Sequence, residues 1–241
     1  VKTALVTGAS KGIGKGIALE LARVGYRVIV NYNGDRAGAE AVAAEIGGKA
    51  VQANVGKSED VARLFDEAGP VDALVNNAGV QTWKPLLELS EAEWDRVIDT
   101  NLKGCFLCTQ AAARGMVRDG RKGSIVNIGS GSNKVAFPKL VDYTSSKGGI
   151  EQFTKVAAVE LGPHGIRVNC VAPGSVEIER TKEESGDYAG TWSKLTPLGR
   201  IGLPEDIARV VRFVLSEDAA FVTGQTIFVD GGLFAKPQWP Y

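Results

Sequence analysis

The chain has few of the groups that build metal or redox centres: its 241 residues include one histidine, His164, and three cysteines, Cys105, Cys108 and Cys170. So small and odd a number of thiols excludes a disulfide framework. Cys105 and Cys108 have C-x-x-C spacing, but they lie inside a helical pattern and no second Cys or His pair completes a zinc set. Structural thiols and a loop histidine are the ordinary reading, and no metal site is expected. An excess of either charge is also lacking. The 28 basic and 28 acidic residues cancel, which leaves no global basic footprint for nucleic acid or an anionic bilayer. No uncharged apolar run nears the roughly 18 residues of a spanning helix, and the N-terminus enters a strand pattern without a signal-peptide core. The expectation is a cytoplasmic protein with small-molecule ligands and no nucleic-acid or membrane partner.

What is present is an ordinary globular composition, 44% apolar and 23% charged, with length enough for one large α/β domain. Short β-branched runs, "TALVT", "RVIVN", "AVQAN", "DALVN", "SIVNI", "RVNCVA" and "TIFVD", alternate with segments whose apolar residues recur every three or four positions. This rhythm predicts βαβ units. The runs lack polar alternation, as strands buried on both faces do, so the expected fold is α/β: a doubly wound parallel sheet of about seven strands with helices on both faces. No Pro-rich or single-sign linker divides the chain, and a single domain, 1–241, is expected. The least core-like stretch, about 175–202, includes "EIERTKEESGDYAG". It reads as a substrate lid or as a solvated insertion, and its place after a strand end favours the lid.

The first strand runs into "TGASKGIGKGIALELARVG", where Ile13, Ile17, Leu21 and Val24 follow helical spacing. Gly8, Gly12 and Gly14 then allow a tight turn, and the N–H groups opening the helix attract phosphate. A phosphate-binding ATPase loop is disfavoured, because it needs Gly where Ala9 stands and Ser or Thr where Gly16 stands. Nor is Gly-x-x-x-Gly-x-Gly the usual G-x-G-x-x-G dinucleotide spacing, so the turn alone is a weak signal.

Other landmarks strengthen it. Thr7-Gly8-x-x-x-Gly12-x-Gly14, "NNAG" at 76–79, Asn101, Ser130, Tyr143 with Lys147, and Pro173-Gly174 occur in an order and spacing that resembles the short-chain dehydrogenase/reductase family along essentially the whole chain. The subgroup it looks most like holds 3-oxoacyl carrier-protein reductases and glucose-type sugar dehydrogenases. The resemblance implies a Rossmann-type fold and a dinucleotide held by Gly8, Ser10, Lys11, Gly12, Ile13, Gly14, Asn31, Tyr32, Asn54, Val55, Asn77, Ala78, Gly79, Tyr143, Lys147, Pro173 and Gly174.

"VDYTSSKGG" places Tyr143 and Lys147 four positions apart, on one face if a helix begins there. A phenol titrates near pH ~10 when free, and a neighbouring ammonium favours its phenolate, which brings it nearer to useful acid/base behaviour. By resemblance, Tyr143 passes a proton to or from the substrate oxygen while hydride moves to or from nicotinamide, and Lys147 also holds the nicotinamide ribose. Ser130 resembles the family's hydroxyl donor to the carbonyl oxygen. Asn101 resembles the helix asparagine that holds a water linking Lys147 to solvent.

An acidic residue ending the second strand would bond the adenosine ribose of NAD and repel the extra phosphate of NADP. Here Asn31, Tyr32 and Asn33 stand there, with Lys11 and Arg36 close by. NADP is expected and NAD is possible, since Asp35 is also near. Asn54-Val55 replaces the family's Asp-Val, where Asn still accepts from an adenine amino group. Ile178 stands where the family commonly has a carboxamide-binding Thr, so that contact must come from elsewhere.

Arg114, Arg118, Arg121 and Lys122 gather at a helix end. They suit an acidic acyl-carrier protein, although cations there also simply offset the helix dipole. The tail "GGLFAKPQWPY" is aromatic enough to pack. Family members are usually tetramers built through the helices carrying Asn101 and Tyr143 and through the last strand, which implies a homotetramer. The chemistry expected is hydride transfer between NADP and a carbonyl or secondary alcohol, on a 3-oxoacyl thioester or general carbonyl. Sugar or polyol dehydrogenation is the alternative within the class. A non-catalytic dinucleotide sensor or a methyltransferase, from other classes, gives no reason for the Tyr and Lys pairing.

Overall fold

A computed structural model of the chain describes residues 1–179, 181 and 186–235. Each of the seven β-branched runs forms a strand: β1 (Thr3–Val6), β2 (Arg27–Tyr32), β3 (Lys49–Gln52), β4 (Ala73–Asn76), β5 (Gly123–Ile128), β6 (Ile166–Pro173) and β7 (Thr226–Val229). They make one sheet of 7 strands in the order β3-β2-β1-β4-β5-β6-β7, and every pairing is parallel. The order reverses between β1 and β4, which opens a crevice at the strands' C-terminal ends, where ligands bind in doubly wound sheets.

Alternation along each strand divides the core between the faces. Ala4 and Val6 of β1 and Val28 and Val30 of β2 face one layer, with Ile17 and Leu21 of α1 (Gly12–Arg23) and Ile207, Val211 and Val214 of α8 (Pro204–Leu215). Leu5 and Ile29 face the other, with Leu64 of α3 (Ser58–Ala68) and Met116 of α5 (Gly104–Arg118). The layers explain why the runs lack polar alternation: both surfaces are covered. Close packing of α1 on α8 needs Gly16, where a Cβ would stand 2.7 Å from Cβ of Pro204.

Further helices among the described residues are α2 (Arg36–Ile46), α4 (Glu91–Ile98), α6 (Val141–Leu161) and α7 (Tyr188–Leu195). Asp35 caps α2 by accepting the Gly38 N–H at 3.1 Å, and Gly47 ends it with φ 61°, the left-handed turn that glycine takes without strain. A widened π-helical stretch, Asp99–Lys103, joins α4 to α5. Periodicity predicts no such turn, and it falls at Asn101, as single π-turns often do at functional positions. Within 175–202 the structure has α7 and a bridge between Val176 and Gly202, where the Glu177 N–H donates to the Gly202 carbonyl at 2.9 Å. Residues 180 and 182–185 of this expected lid, and 236–241 of the aromatic tail, lie outside the described residues. No helix among the described residues is long and apolar enough to cross a membrane.

Candidate active site

The predicted positions gather at the C-terminal ends of β1 to β6, six of them in the turn after β1 and the first turn of α1. Gly8 and Gly12 have φ of 60° and 56°, a region that only glycine adopts freely. Gly14 is buried in the first turn of α1, where a Cβ would stand 2.5 Å from Nδ2 of Asn77 and 2.9 Å from Cα of Ala9. The bare backbone leaves a cradle beside the N–H groups that open α1. Ser10 and Ile13 flank the glycines, and Lys11 is exposed at the helix start.

Asparagines and a threonine brace this turn. Asn77 Nδ2 donates to the carbonyls of Thr7 and Gly8, both at 2.9 Å. Thr7 Oγ1 accepts the N–H groups of Asn77 at 2.9 Å and Ala78 at 3.0 Å. Asn31 corrects the sequence expectation. It is 1% exposed, its Oδ1 accepts the Gly8 N–H at 3.3 Å, and its Nδ2 donates to the carbonyls of Tyr32, Val51 and Ala53. With both ends of the amide enclosed, Asn31 shapes the turn instead of facing a ribose. The expected competitor Asp35 is committed to its helix cap. Asn54 Oδ1 accepts the Gly56 N–H at 3.0 Å, and Val55 is buried against Gly104. Tyr32 is also buried.

On the other side of the crevice, α6 presents Tyr143 and Lys147 on one face, as the four-residue spacing requires. Lys147 is 4% exposed. Its Nζ donates to the Ile128 carbonyl at 2.7 Å and lies 5.5 Å from the centre of the Tyr143 ring. A buried ammonium held by the last residue of β5 is thereby fixed beside the phenol. Two residues beyond Ile128, Ser130 caps a short 3-10 turn, Gly131–Asn133, and its Oγ accepts the Ser132 N–H at 3.2 Å. That bond leaves the hydroxyl proton for another acceptor.

Asn101 is buried, and its side chain is bonded on both ends. Its Oδ1 accepts the Val80 N–H at 2.8 Å, while Nδ2 donates to the Val80 carbonyl at 2.9 Å and to Ser146 Oγ at 3.0 Å. Ser146 Oγ donates in turn to the Tyr143 carbonyl at 2.7 Å. The amide therefore ties the loop after "NNAG" to the turn that carries Tyr143 and Lys147. Pro173 ends β6 in the core, and Gly174 N–H donates to the Val229 carbonyl at 3.0 Å. Ile178 packs over the glycine turn, its Cγ2 lying 3.5 Å from where a Gly12 Cβ would stand, and its N–H donates to Thr181 Oγ1 at 2.9 Å.

Sequence reasoning missed a buried amide network beneath the site. Asn76 Nδ2 donates to Asn127 Oδ1 at 2.8 Å and Thr109 Oγ1 at 2.9 Å, and Asn127 Nδ2 donates to Thr154 Oγ1 at 2.9 Å. Two asparagines in otherwise apolar strands were its signal, because a buried amide needs partners. The thiols are free and buried. Burial pushes Cys105 well up, Cys108 up to about 12 and Cys170 up to about 11. In the basic cluster, Arg118 pairs with Asp119 at 2.8 Å, and Arg121 pairs with Asp72 and Asp119, both at 2.9 Å.

The chain is similar to known proteins along nearly its whole length. Residues 8–234 match the family described as Enoyl-(Acyl carrier protein) reductase. The chain is 46% identical over 242 residues to a 3-oxoacyl-[acyl-carrier-protein] reductase of Staphylococcus epidermidis, with 97% of this chain and 99% of that protein covered. It is 40% identical over 250 residues to glucose 1-dehydrogenase 2 of Bacillus subtilis, with 98% and 96% covered. A solved structure from Agrobacterium tumefaciens, provisionally assigned as a 2-deoxy-D-gluconate 3-dehydrogenase with bound NADP, superposes with a TM-score of 0.90 at 36% identity, covering 98% of this chain and 97% of that one.

Proposed function

Since the chain belongs to the short-chain dehydrogenase/reductase family, we propose that it reduces the keto group of a 3-oxoacyl thioester with NADPH. The observation that carries the chemistry is the buried Lys147 ammonium 5.5 Å from the Tyr143 ring centre. Tyr143 is then the group that passes its phenolic proton to the carbonyl oxygen as that oxygen gains charge, with the Lys147 amine fixed beside it. Ser130 donates its free hydroxyl proton to the same oxygen, a dipole aimed where the negative charge develops. Asn101 holds Ser146 and hence the Tyr143 turn in register.

The glycine turn fits a dinucleotide diphosphate: Gly12 is left-handed and the Gly14 position has no room for a side chain. NADPH, when bound there, supplies the hydride. Preference for NADP is supported by the absence of a carboxylate ending β2, by the exposed Lys11 and by Arg36, whose partner Glu40 lies only within 3.6 Å in an exposed pair. The remaining residues assigned to the nucleotide, Ser10, Ile13, Tyr32, Asn54, Val55, Asn77, Ala78, Gly79, Pro173 and Gly174, line the same crevice ends or brace them. Residues 175–202 act as the lid.

The 3-oxoacyl reading follows the near full-length likeness to the Staphylococcus enzyme, and a sugar substrate is the second reading, favoured by the glucose 1-dehydrogenase relative. The acyl-thioester reading does not rest on the basic cluster, since Arg118 and Arg121 are already paired with acids. A homotetramer is supported by an apolar groove on α5 and α6 lined by Phe106, Val117, Phe153 and Val156, part of whose surface is exposed. Three unpaired buried thiols accord with a reducing, cytoplasmic setting. Following the absorbance of reduced nicotinamide with acetoacetyl-coenzyme A, a panel of ketones, and glucose in the reverse direction, each with NADP and NAD forms, tests the proposal. Turnover of the thioester with at least about a tenfold preference for NADPH is expected; turnover of glucose alone selects the sugar reading, and no turnover with nucleotide still bound selects a sensor.

A further inference from the structure

Ser130 depends on a turn that is weak by itself. Gly131–Asn133 is a single 3-10 turn closed by the Asn133 N–H to the Ser130 carbonyl and the Lys134 N–H to the Gly131 carbonyl, both at 3.0 Å. Such short turns have poor hydrogen-bond geometry and are held by what packs on them. Ser132 Oγ and Asn133 Oδ1 are buried without partners among the described residues, and a side-chain bond from Asn133 Nδ2 to Glu151 Oε2 at 3.0 Å anchors the far end. The near end, beside Ser130, is covered by an aromatic ring from the far end of the chain.

That ring belongs to Phe234. A side chain at Gly131 would overlap it, so the ring fills the space directly over the Gly131 backbone. It also meets Phe137 edge to face, with centres 6.2 Å apart at 84°, a favourable arrangement for two aromatic quadrupoles. Phe234 thus holds both limbs of the segment that follows Ser130. Its own position is set by Asp230, which accepts the Phe234 N–H at 3.0 Å and the Gly232 N–H at 2.9 Å. Left-handed Gly231 and Gly232, with φ of 62° and 87°, make the reversal after β7.

We infer that Phe234 is a positioning residue for Ser130: its ring, seated on Gly131 and Phe137, keeps the Ser132 N–H on Ser130 Oγ and so aims the serine hydroxyl proton at the substrate oxygen. This rests on Ser130 being the hydroxyl donor of the proposed reaction. Removal of the ring lets the 3-10 turn relax. Ser130 then loses orientation, while the glycine turn across the crevice is untouched.

The test is Phe234→Ala made in the native chain and in a Ser130→Ala background, with acetoacetyl-coenzyme A and NADPH as probes. The expected result is a fall of about tenfold in kcat in the native background and less than about twofold in the Ser130→Ala background, since a residue acting through Ser130 has nothing left to act on. NADPH affinity, read by protein fluorescence, stays the same. Phe234→Leu, which retains an apolar cover, keeps most of the activity and serves if the alanine variant does not fold. An equal fall in both backgrounds, or none in either, overturns the inference. Amide exchange of 131–134 gives a readout that needs no turnover: it should quicken in Phe234→Ala while that of α1 does not change. Unchanged exchange refutes the inference whatever the enzyme reduces, whereas quickened exchange in a protein inactive on every carbonyl refutes the function and leaves the packing claim standing.

Discussion

The two halves of the sheet build their shares of the crevice by opposite means. At the ends of β1 to β3 the ligand surface is made by removing side chains: Gly8, Gly12 and Gly14 bare the backbone, and the polar side chains nearby, Asn31, Thr7 and Asn77, turn inward to brace it. At the ends of β4 to β6 the surface is made by projecting side chains, Ser130, Tyr143 and Lys147, from a helix and a turn that buried amides support. A diphosphate is recognised by backbone N–H groups, which need close approach. A proton must pass through a particular atom, which needs a placed functional group.

Substitutions on each side should therefore fail differently. The largest effect is expected for Tyr143→Phe: turnover falls by about a thousandfold or more, roughly 4 kcal/mol of transition-state stabilisation, while nucleotide titration is unaltered. A variant that kept near-normal turnover would remove the phenol from the mechanism. Gly14→Ala should do the reverse. Its methyl would crowd Asn77 Nδ2 and Ala9, so NADPH affinity should fall at least about tenfold, together with about 2–3 kcal/mol of stability by urea titration. Undisturbed binding would show that the bare backbone is not what the ligand reads. Asn127→Ala is the mildest of the three. It takes one acceptor from the Asn76 amide, which keeps Thr109 Oγ1, and the donor from Thr154 Oγ1, which still donates to the Ile150 carbonyl; a loss of about 1–2 kcal/mol in unfolding free energy is expected, with kcat reduced less than in Tyr143→Phe. A stability equal to that of the parent would mean that the network is ornamental to the fold.

Much of this division was legible in the residues. β-Branched runs marked all seven strands, most plainly the inner ones, because a strand covered on both faces is apolar along most of its length. Four-residue spacing placed Tyr143 and Lys147 together, because helical geometry leaves no choice once the helix forms. Asn31 was legible as the absence of a carboxylate but not as a brace, since nothing local says whether a residue ending a strand points outward or inward. The π-helical turn at Asn101 was illegible for a similar reason: the Asn101 side chain meets the Val80 backbone and Ser146, partners far from it in the chain that local propensity does not report.

By itself, the order of residues determined the class of fold, the glycine turn and the spacing of the phenol and the ammonium, all of which follow from short-range periodicity and backbone sterics. Only the tertiary structure decided which polar groups face the crevice and which support it, and that Phe234 lies on Gly131 beside Ser130. Those outcomes depend on which buried donors and acceptors meet across elements far apart in the chain, and no local rule contains that pairing.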